Sequence, residues 1–228
     1  MLFADRAEAG RQLAARLEHL RDQRPVVLGL PRGGVPVAYE VARALGAPLD
    51  VIVVRKLGVP WLPELAMGAI GEGGSRVVIE EEALRRAGIS RAMFDEVEQR
   101  ESAELRRRAE VYRAGHALVP VEGRPVIVID DGIATGATVR AACQVVARRG
   151  AARVVLAVPV LPEDLISTLM NFADEVVWLC APAEMNAVGN WYHDFSQLED
   201  AEVVELLARG RGQGRGREAD WAGGSDTG

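Results

Sequence analysis

The chain has 228 residues, room for one large domain or a domain with an elaboration. It is 49% hydrophobic and 26% charged, so a packed core is expected, and with aromatics at only 5% that core must be built mostly from Val, Leu, Ile and Ala. A formal net charge of −6 disfavours a general nucleic-acid binder, which carries a basic excess, but leaves room for a local basic pocket.

The N-terminal stretch MLFADRAEAGRQLAARLEHL is broken by charges every few residues. It fits neither a signal peptide nor a membrane span, and a soluble cytoplasmic protein is expected. Asp5 with Glu8 has the form of a helix cap and its box partner, opening a helix to about Leu20. Val26–Leu30 reads as a buried strand. Val35, Ala38, Ala42 and Leu45 repeat at helical spacing up to Gly46, and Asp50–Val54 is a second β-branched run. This β-α-β opening predicts a parallel sheet.

The rhythm then changes. AMGAI and RVVIE flank GEGG, which predicts a hairpin with a glycine-rich turn, and a long charged helix is expected over Ser90–Arg113. Its apolar positions are sparse (Met93, Val97, Leu105, Tyr112), and Glu96–Arg100 and Glu104–Arg108 stand at pairing distance along it. The α/β alternation resumes with VIVID, a helix face at Val139, Ala142, Cys143 and Val146, the strand Arg153–Val160, a helix through Leu165, Leu169 and Phe172, and the strand EVVWLC. A short helix near Asp200–Arg209 is expected to close a single domain over 1–209, with an insert at about 57–113 and a hood at about 182–199. From Gly210 the Arg-Gly-rich tail 210–228 shows no apolar period and is expected to be disordered. Cys143 and Cys180 each sit in apolar runs without a CxxC and read as reduced thiols.

The segment VIVIDDGIATGAT carries the chemistry. Ligands of open α/β sheets bind beyond the carboxyl ends of the strands, so Asp130 and Asp131 should project into a crevice. The small residues from Gly132 let backbone N–H groups approach an anion, the following helix N-terminus adds positive potential, and Thr135 and Thr138 add hydroxyls. Two carboxylates beside a phosphate cup suit a ligand that also presents hydroxyls or a metal, as a sugar phosphate does. A Walker A loop is excluded because Ala137 stands where its lysine would be, and there is no GxGxxG.

This strand, acid pair and GIATGAT loop resemble the signature of the type I phosphoribosyltransferase family. The resemblance runs from about Val26 to Phe195. It implies an α/β fold with a Rossmann-like parallel sheet, an inserted hairpin and long-helix lid, and a small C-terminal hood. It implies that Asp130 and Asp131 hold the ribose hydroxyls and that Ala134, Thr135, Gly136, Ala137 and Thr138 hold the 5-phosphate of phosphoribosyl pyrophosphate. GLPRGGVP then resembles the family's pyrophosphate loop, with Arg32, Gly33 and Gly34, and Arg55-Lys56, expected at the end of the next strand, resembles its basic pair. Asp130, Asp131, Arg32 and Lys56 would carry catalysis. Magnesium would arrive with the substrate, with Asp130 and Asp131 as candidate ligands. Glu64 is a further candidate carboxylate. For the acceptor, Trp191, Tyr192 and Asp194 of the hood are the candidates, against a reading in which these aromatics form a small core cluster, and His193 is a candidate base. Ala134 stands where oxopurine-specific members have an aspartate, which argues against hypoxanthine and guanine. The implied activity is phosphoribosyl transfer to a small, nitrogenous acceptor with release of pyrophosphate. The alternative is a non-catalytic regulator that binds the same donor. A homodimer is common in the family; the sequence favours neither a membrane nor a nucleic-acid partner.

Overall fold

The computed structural model describes residues 2–72, 76–78, 84–85 and 87–222, side chains at 63–66, 76–78 and 212–222 excepted. Asp5 accepts from the Glu8 amide at 2.7 Å and opens α1 (Arg6–Arg16), which a 3-10 turn at Glu18–Gln23 continues. β1 (Val26–Gly29) leads through a tight loop into α2 (Gly34–Leu45), stopped by Gly46 at φ 65°, a left-handed conformation that suits glycine. β2 (Leu49–Val51) is shorter than the apolar run that encodes it. The chain leaves the sheet at Ile52, and Val54 already begins a different sheet.

That second sheet is antiparallel, in the order β3 (Val54–Val59), β4 (Leu62–Gly71) and β5 (Arg76–Val78). The expected hairpin is its β4–β5 half. The tip residues 73–75 of its GEGG turn lie outside the described residues. The expectation for Arg55-Lys56 is corrected: both sit within β3, paired with Ile70 and Ala69 of β4, not at the end of a core strand. The physical reason is that RKLGV continues the run Asp50–Val54 without a turn residue between them, so nothing local marks the change of sheet. α3 (Arg91–Arg113), capped by Ser90, buries Phe94, Val97, Leu105 and Tyr112. Arg108 pairs with Glu104 at 2.7 Å as its spacing predicts, whereas Arg100 turns to Glu101 at 3.3 Å.

β6 (Pro125–Ile129), α4 (Ala137–Arg148), β7 (Arg153–Val160), a single helical turn α5 (Ile166–Leu169) and β8 (Glu175–Cys180) complete the central layer. Among the described residues the main sheet is wholly parallel, ordered β2-β1-β6-β7-β8. Its residues alternate between two cores, as the two-residue period of a strand requires. Val27, Ile127, Ile129, Val155 and Ala157 face one core with α1 and α2. Val26, Leu28, Val126, Val128 and Leu156 face the other with α4. The last helix, α6 (Asp200–Ala222), runs well past Arg209, where composition predicts disorder from Gly210. Gly210 is buried, and a Cβ there would come within 2.7 Å of Leu49, so the helix continues against β2.

Candidate active site

The strand order reverses direction at β1: the chain goes from β1 to β2 on one side and later fills β6, β7 and β8 on the other. The loops after β1 and β6 therefore face each other at the carboxyl ends of neighbouring strands, the position where open α/β sheets take ligands. The first loop is Leu30–Gly34. Its Leu30 amide donates to Ile129 O at 2.8 Å, so it is tied to β6, and the Pro31–Arg32 peptide is cis. Gly33 and Gly34 lie directly on the acid pair. A Cβ on Gly33 would stand 1.9 Å from Asp131 Oδ2, and one on Gly34 would stand 2.8 Å from the Asp130 Cα. Gly33 thus makes room for the Asp131 carboxylate and Gly34 for the backbone that carries Asp130, a role the sequence did not disclose.

Asp130 Oδ1 accepts from the Asp131 amide at 3.0 Å. Burial pushes the Asp130 carboxyl well above its ordinary value, and the charge of Asp131 pushes it the same way. Burial also raises Asp131, opposed by the guanidinium of Arg6, whose Nε donates to Asp131 Oδ2 at 2.8 Å. Beyond the pair, Ala134 and Thr135 are exposed, Gly136 adopts φ 76°, and Thr138 is exposed in the first turn of α4. The loop from 134 to 138 is thus an open, small-residue rim at the N-terminus of a twelve-residue helix, which is the chemistry of an anion cup.

Arg32 follows the cis peptide of the first loop. Its guanidinium stands 4.0 Å from Asp200, which also accepts from Tyr112 Oη at 2.8 Å. Arg55 donates to Glu101 of α3 through Nε and Nη2 at 2.9 and 2.5 Å, while Lys56 is exposed beside it. Arg55 and Lys56 line a cavity of about 540 Å³ together with Pro31, Thr138, Arg108 and Arg140. The inserted sheet and the long helix thereby bring cations to the flank of the two loops. Neither carboxylate of the acid pair lies on the cavity wall. Glu64 lies in β4, with its side chain outside the described residues.

Of the two readings of the hood, the structure gives Tyr192 the core-cluster one. Tyr192 is 5% exposed, its ring 5.3 Å from Phe3 and 5.1 Å from Phe195, and its hydroxyl donates to Asp131 O at 2.5 Å. It is a core residue beneath the acid pair, with no free face for an acceptor ring. Asp194 Oδ1 accepts from the Ser196 amide at 2.9 Å, closing a local turn. Trp191 is half-buried, and its carbonyl accepts from the Phe3 amide at 2.9 Å. The aromatic cluster is mainly the anchor of the N-terminal segment. Arg6 escaped the sequence reading because it sits one residue past a helix cap, where an arginine carries no local signal of a partner 125 residues away.

An acid pair suits a hard cation with oxygen ligands. Among the described residues no group of three or more His, Cys, Asp or Glu gathers to hold a metal, so the protein offers two carboxylates and substrate oxygens must supply the rest. Magnesium fits that donor set.

Comparison with known proteins bears on this geometry. A family model for the phosphoribosyl transferase domain matches residues 4–186. Two Mycobacterium tuberculosis proteins, from strains CDC 1551 and H37Rv, are provisionally named phosphoribosyl transferases. Each is 55% identical over 208 residues, covering 91% of this chain and 47% of their own length. The chain thus spans about half the length of these curated relatives. The crystal structure of TT1426 from Thermus thermophilus superposes with a TM-score of 0.84 at 46% identity, covering 92% of this chain and 99% of that one. With the α/β sheet, the reversal at β1 and the acid pair on its rim, these matches show that the chain belongs to the type I phosphoribosyltransferase family.

Proposed function

We propose that this protein transfers the 5-phosphoribosyl group of phosphoribosyl pyrophosphate to a small acceptor, a nitrogenous base, with release of pyrophosphate. The observation that carries the proposal is the meeting, at one switch point, of a desolvated acid pair, an anion cup and a glycine loop. Each answers one part of the donor. The N–H groups and hydroxyls from Ala134 to Thr138 take the 5-phosphate. Asp130 and Asp131 accept from the ribose hydroxyls and favour the positive charge that develops on the ribose as the bond to pyrophosphate breaks. The backbone at Gly33 and Gly34, with Arg32, Arg55 and Lys56, receives the departing pyrophosphate. Magnesium, when bound through donor oxygens and the acid pair, would neutralise that leaving group. Arg55 is held by Glu101, so the inserted helix positions this cation.

The acceptor nitrogen attacks the anomeric carbon from the face opposite pyrophosphate, with inversion. Closing the insert over the site would keep water from competing with the acceptor. Trp191 keeps its candidacy at the acceptor end as the half-buried aromatic of the hood. Among the described residues no helix is long and apolar enough to cross a membrane.

Asp131→Ala tests the donor site. Titration of phosphoribosyl pyrophosphate with magnesium should show binding to the native protein and none to the variant. Unchanged affinity in a folded variant would contradict the assignment of the acid pair.

A further inference from the structure

The N-terminal segment reaches into the site from outside the expected signature. Arg6 occupies the first position of α1, and three groups hold its guanidinium. Nε donates to Asp131 Oδ2 at 2.8 Å, Nη1 donates to Ser196 O at 3.0 Å, and the guanidinium carbon stands 3.9 Å from the centre of the Phe195 ring. The Arg6 and Asp131 side chains are only 11% and 13% exposed. The segment ahead of Arg6 is laced to the hood: Phe3 donates to Trp191 O, and His193 and Asp194 donate to Phe3 O and Ala4 O, all at 2.8–2.9 Å. Tyr192 fixes the backbone of Asp131 from below through its 2.5 Å bond.

A guanidinium that served only to tie the N-terminal segment to the hood could do so through Ser196 O and the Phe195 face. Here its Nε is given to a carboxylate at the ligand crevice. Asp131 Oδ2 lies between Arg6 on one side and the Gly33 backbone on the other, where even a methyl group would not fit. The carboxylate is therefore held in one orientation before any ligand arrives. An ionised carboxylate has about four acceptor positions, so one bond from Arg6 leaves capacity for hydroxyl donors.

We infer that Arg6 is a positioning residue for the ribose end of the donor, acting through Asp131 without touching the sugar. It rests on the donor site proposed above. The arginine contributes direction as well as charge: its planar fork is set by stacking on Phe195 and by Ser196 O, and lysine cannot reproduce that arrangement.

Calorimetric titration with two halves of the donor tests this, using ribose 5-phosphate and inorganic pyrophosphate separately, each with magnesium. Arg6→Ala should weaken ribose 5-phosphate binding by roughly ten- to a hundredfold, the loss typical of a charge-assisted hydrogen bond, and leave pyrophosphate binding within about twofold. Arg6→Lys should recover part of that loss. Phe195→Leu keeps the charge but removes the stacking face, and it should weaken ribose 5-phosphate binding in the same selective way, which keeps the test decisive if Arg6→Ala does not fold. Equal loss for both probes, or no loss for either, would overturn the inference and leave Arg6 a tie between the N-terminal segment and the hood. If the native protein itself fails to bind ribose 5-phosphate, the donor site is what fails, a result distinct from any difference among variants.

Discussion

Asp130 and Asp131 show how much one position on a strand can decide. They follow β6 directly, so the sheet itself places them on the rim, a position that adjacency to the strand made legible. What the sequence did not disclose is how they are packed. Gly33 and Gly34 leave the space their side chains would fill to the acid pair, and Arg6 and Tyr192 back it from segments remote in sequence. Cys143 makes the opposite case, since its apolar surroundings were legible and its behaviour follows. It is fully buried on α4, and burial pushes its thiol from the ordinary 9.0 up to about 12. The folded protein therefore favours the neutral thiol. Its contribution to stability is whole below the unfolded value and is lost as pH rises from about 9 toward about 12, because the unfolded chain sheds its proton first. Tyr112, raised to about 12 by burial and its bond to Asp200, adds to the same alkaline loss. Urea midpoints measured from about pH 8.5 to about pH 11 should fall for the native protein and fall less steeply for Cys143→Ala. Identical slopes would show that the thiol is not in a dry site.

Elements were legible where their period was long and their ends were marked. α2 and α3 carry a stop or cap and apolar spacing, and the structure holds them close to the expected bounds, while α1 ends at Arg16, short of the expected Leu20, where a 3-10 turn takes over. The insert was harder to read. β3 follows β2 after two residues, so one β-branched run encodes parts of two sheets, and periodicity cannot mark where the chain changes partner. What marks it in three dimensions is a buried ionic junction. Arg113 at the end of α3 donates to Asp50 of β2 at 2.5 Å, to Glu72 just beyond β4 at 2.7 Å, and to Val51 O at 2.9 Å. Glu72 in turn accepts from the Val53 amide at 3.1 Å, and Arg211 of α6 reaches Asp50 at 3.3 Å. Asp50, Glu72 and Arg113 are 1%, 6% and 7% exposed. Removing the central cation would leave Asp50 to the longer contact with Arg211 and Glu72 to the Val53 amide in a nearly dry site, so Arg113→Met should cost about 3–5 kcal/mol, the usual penalty for breaking a buried pair from one side. Denaturant unfolding measures it directly. A loss below about 1 kcal/mol, the scale of an exposed ion pair, would mean that water reaches the junction.

At the scale of the whole molecule, the alternation of strands and helices predicted the parallel sheet, and the acid-pair loop predicted the rim. The hood and the last helix were not legible in the same way. The aromatics of the hood could be read as an acceptor surface or as a small core cluster, and sequence could not choose between them because it cannot show that Phe3 fills the space against Tyr192. The tail beyond Gly210 looked unstructured because its composition lacks apolar period, while Gly210 and Arg211 in fact pack on Leu49 and Asp50. Two segments remote in sequence thus meet the loops of the site: α1 through Arg6, and α6 through Asp200, which stands beside Arg32. The central claim is that this assembly splits phosphoribosyl pyrophosphate onto an acceptor. The most direct measurement is pyrophosphate release from phosphoribosyl pyrophosphate and magnesium across a panel of purines, pyrimidines and small amines. Release that depends on one class of acceptor is expected. Binding of the donor with no release from any acceptor would contradict transfer and point to a protein that senses the donor.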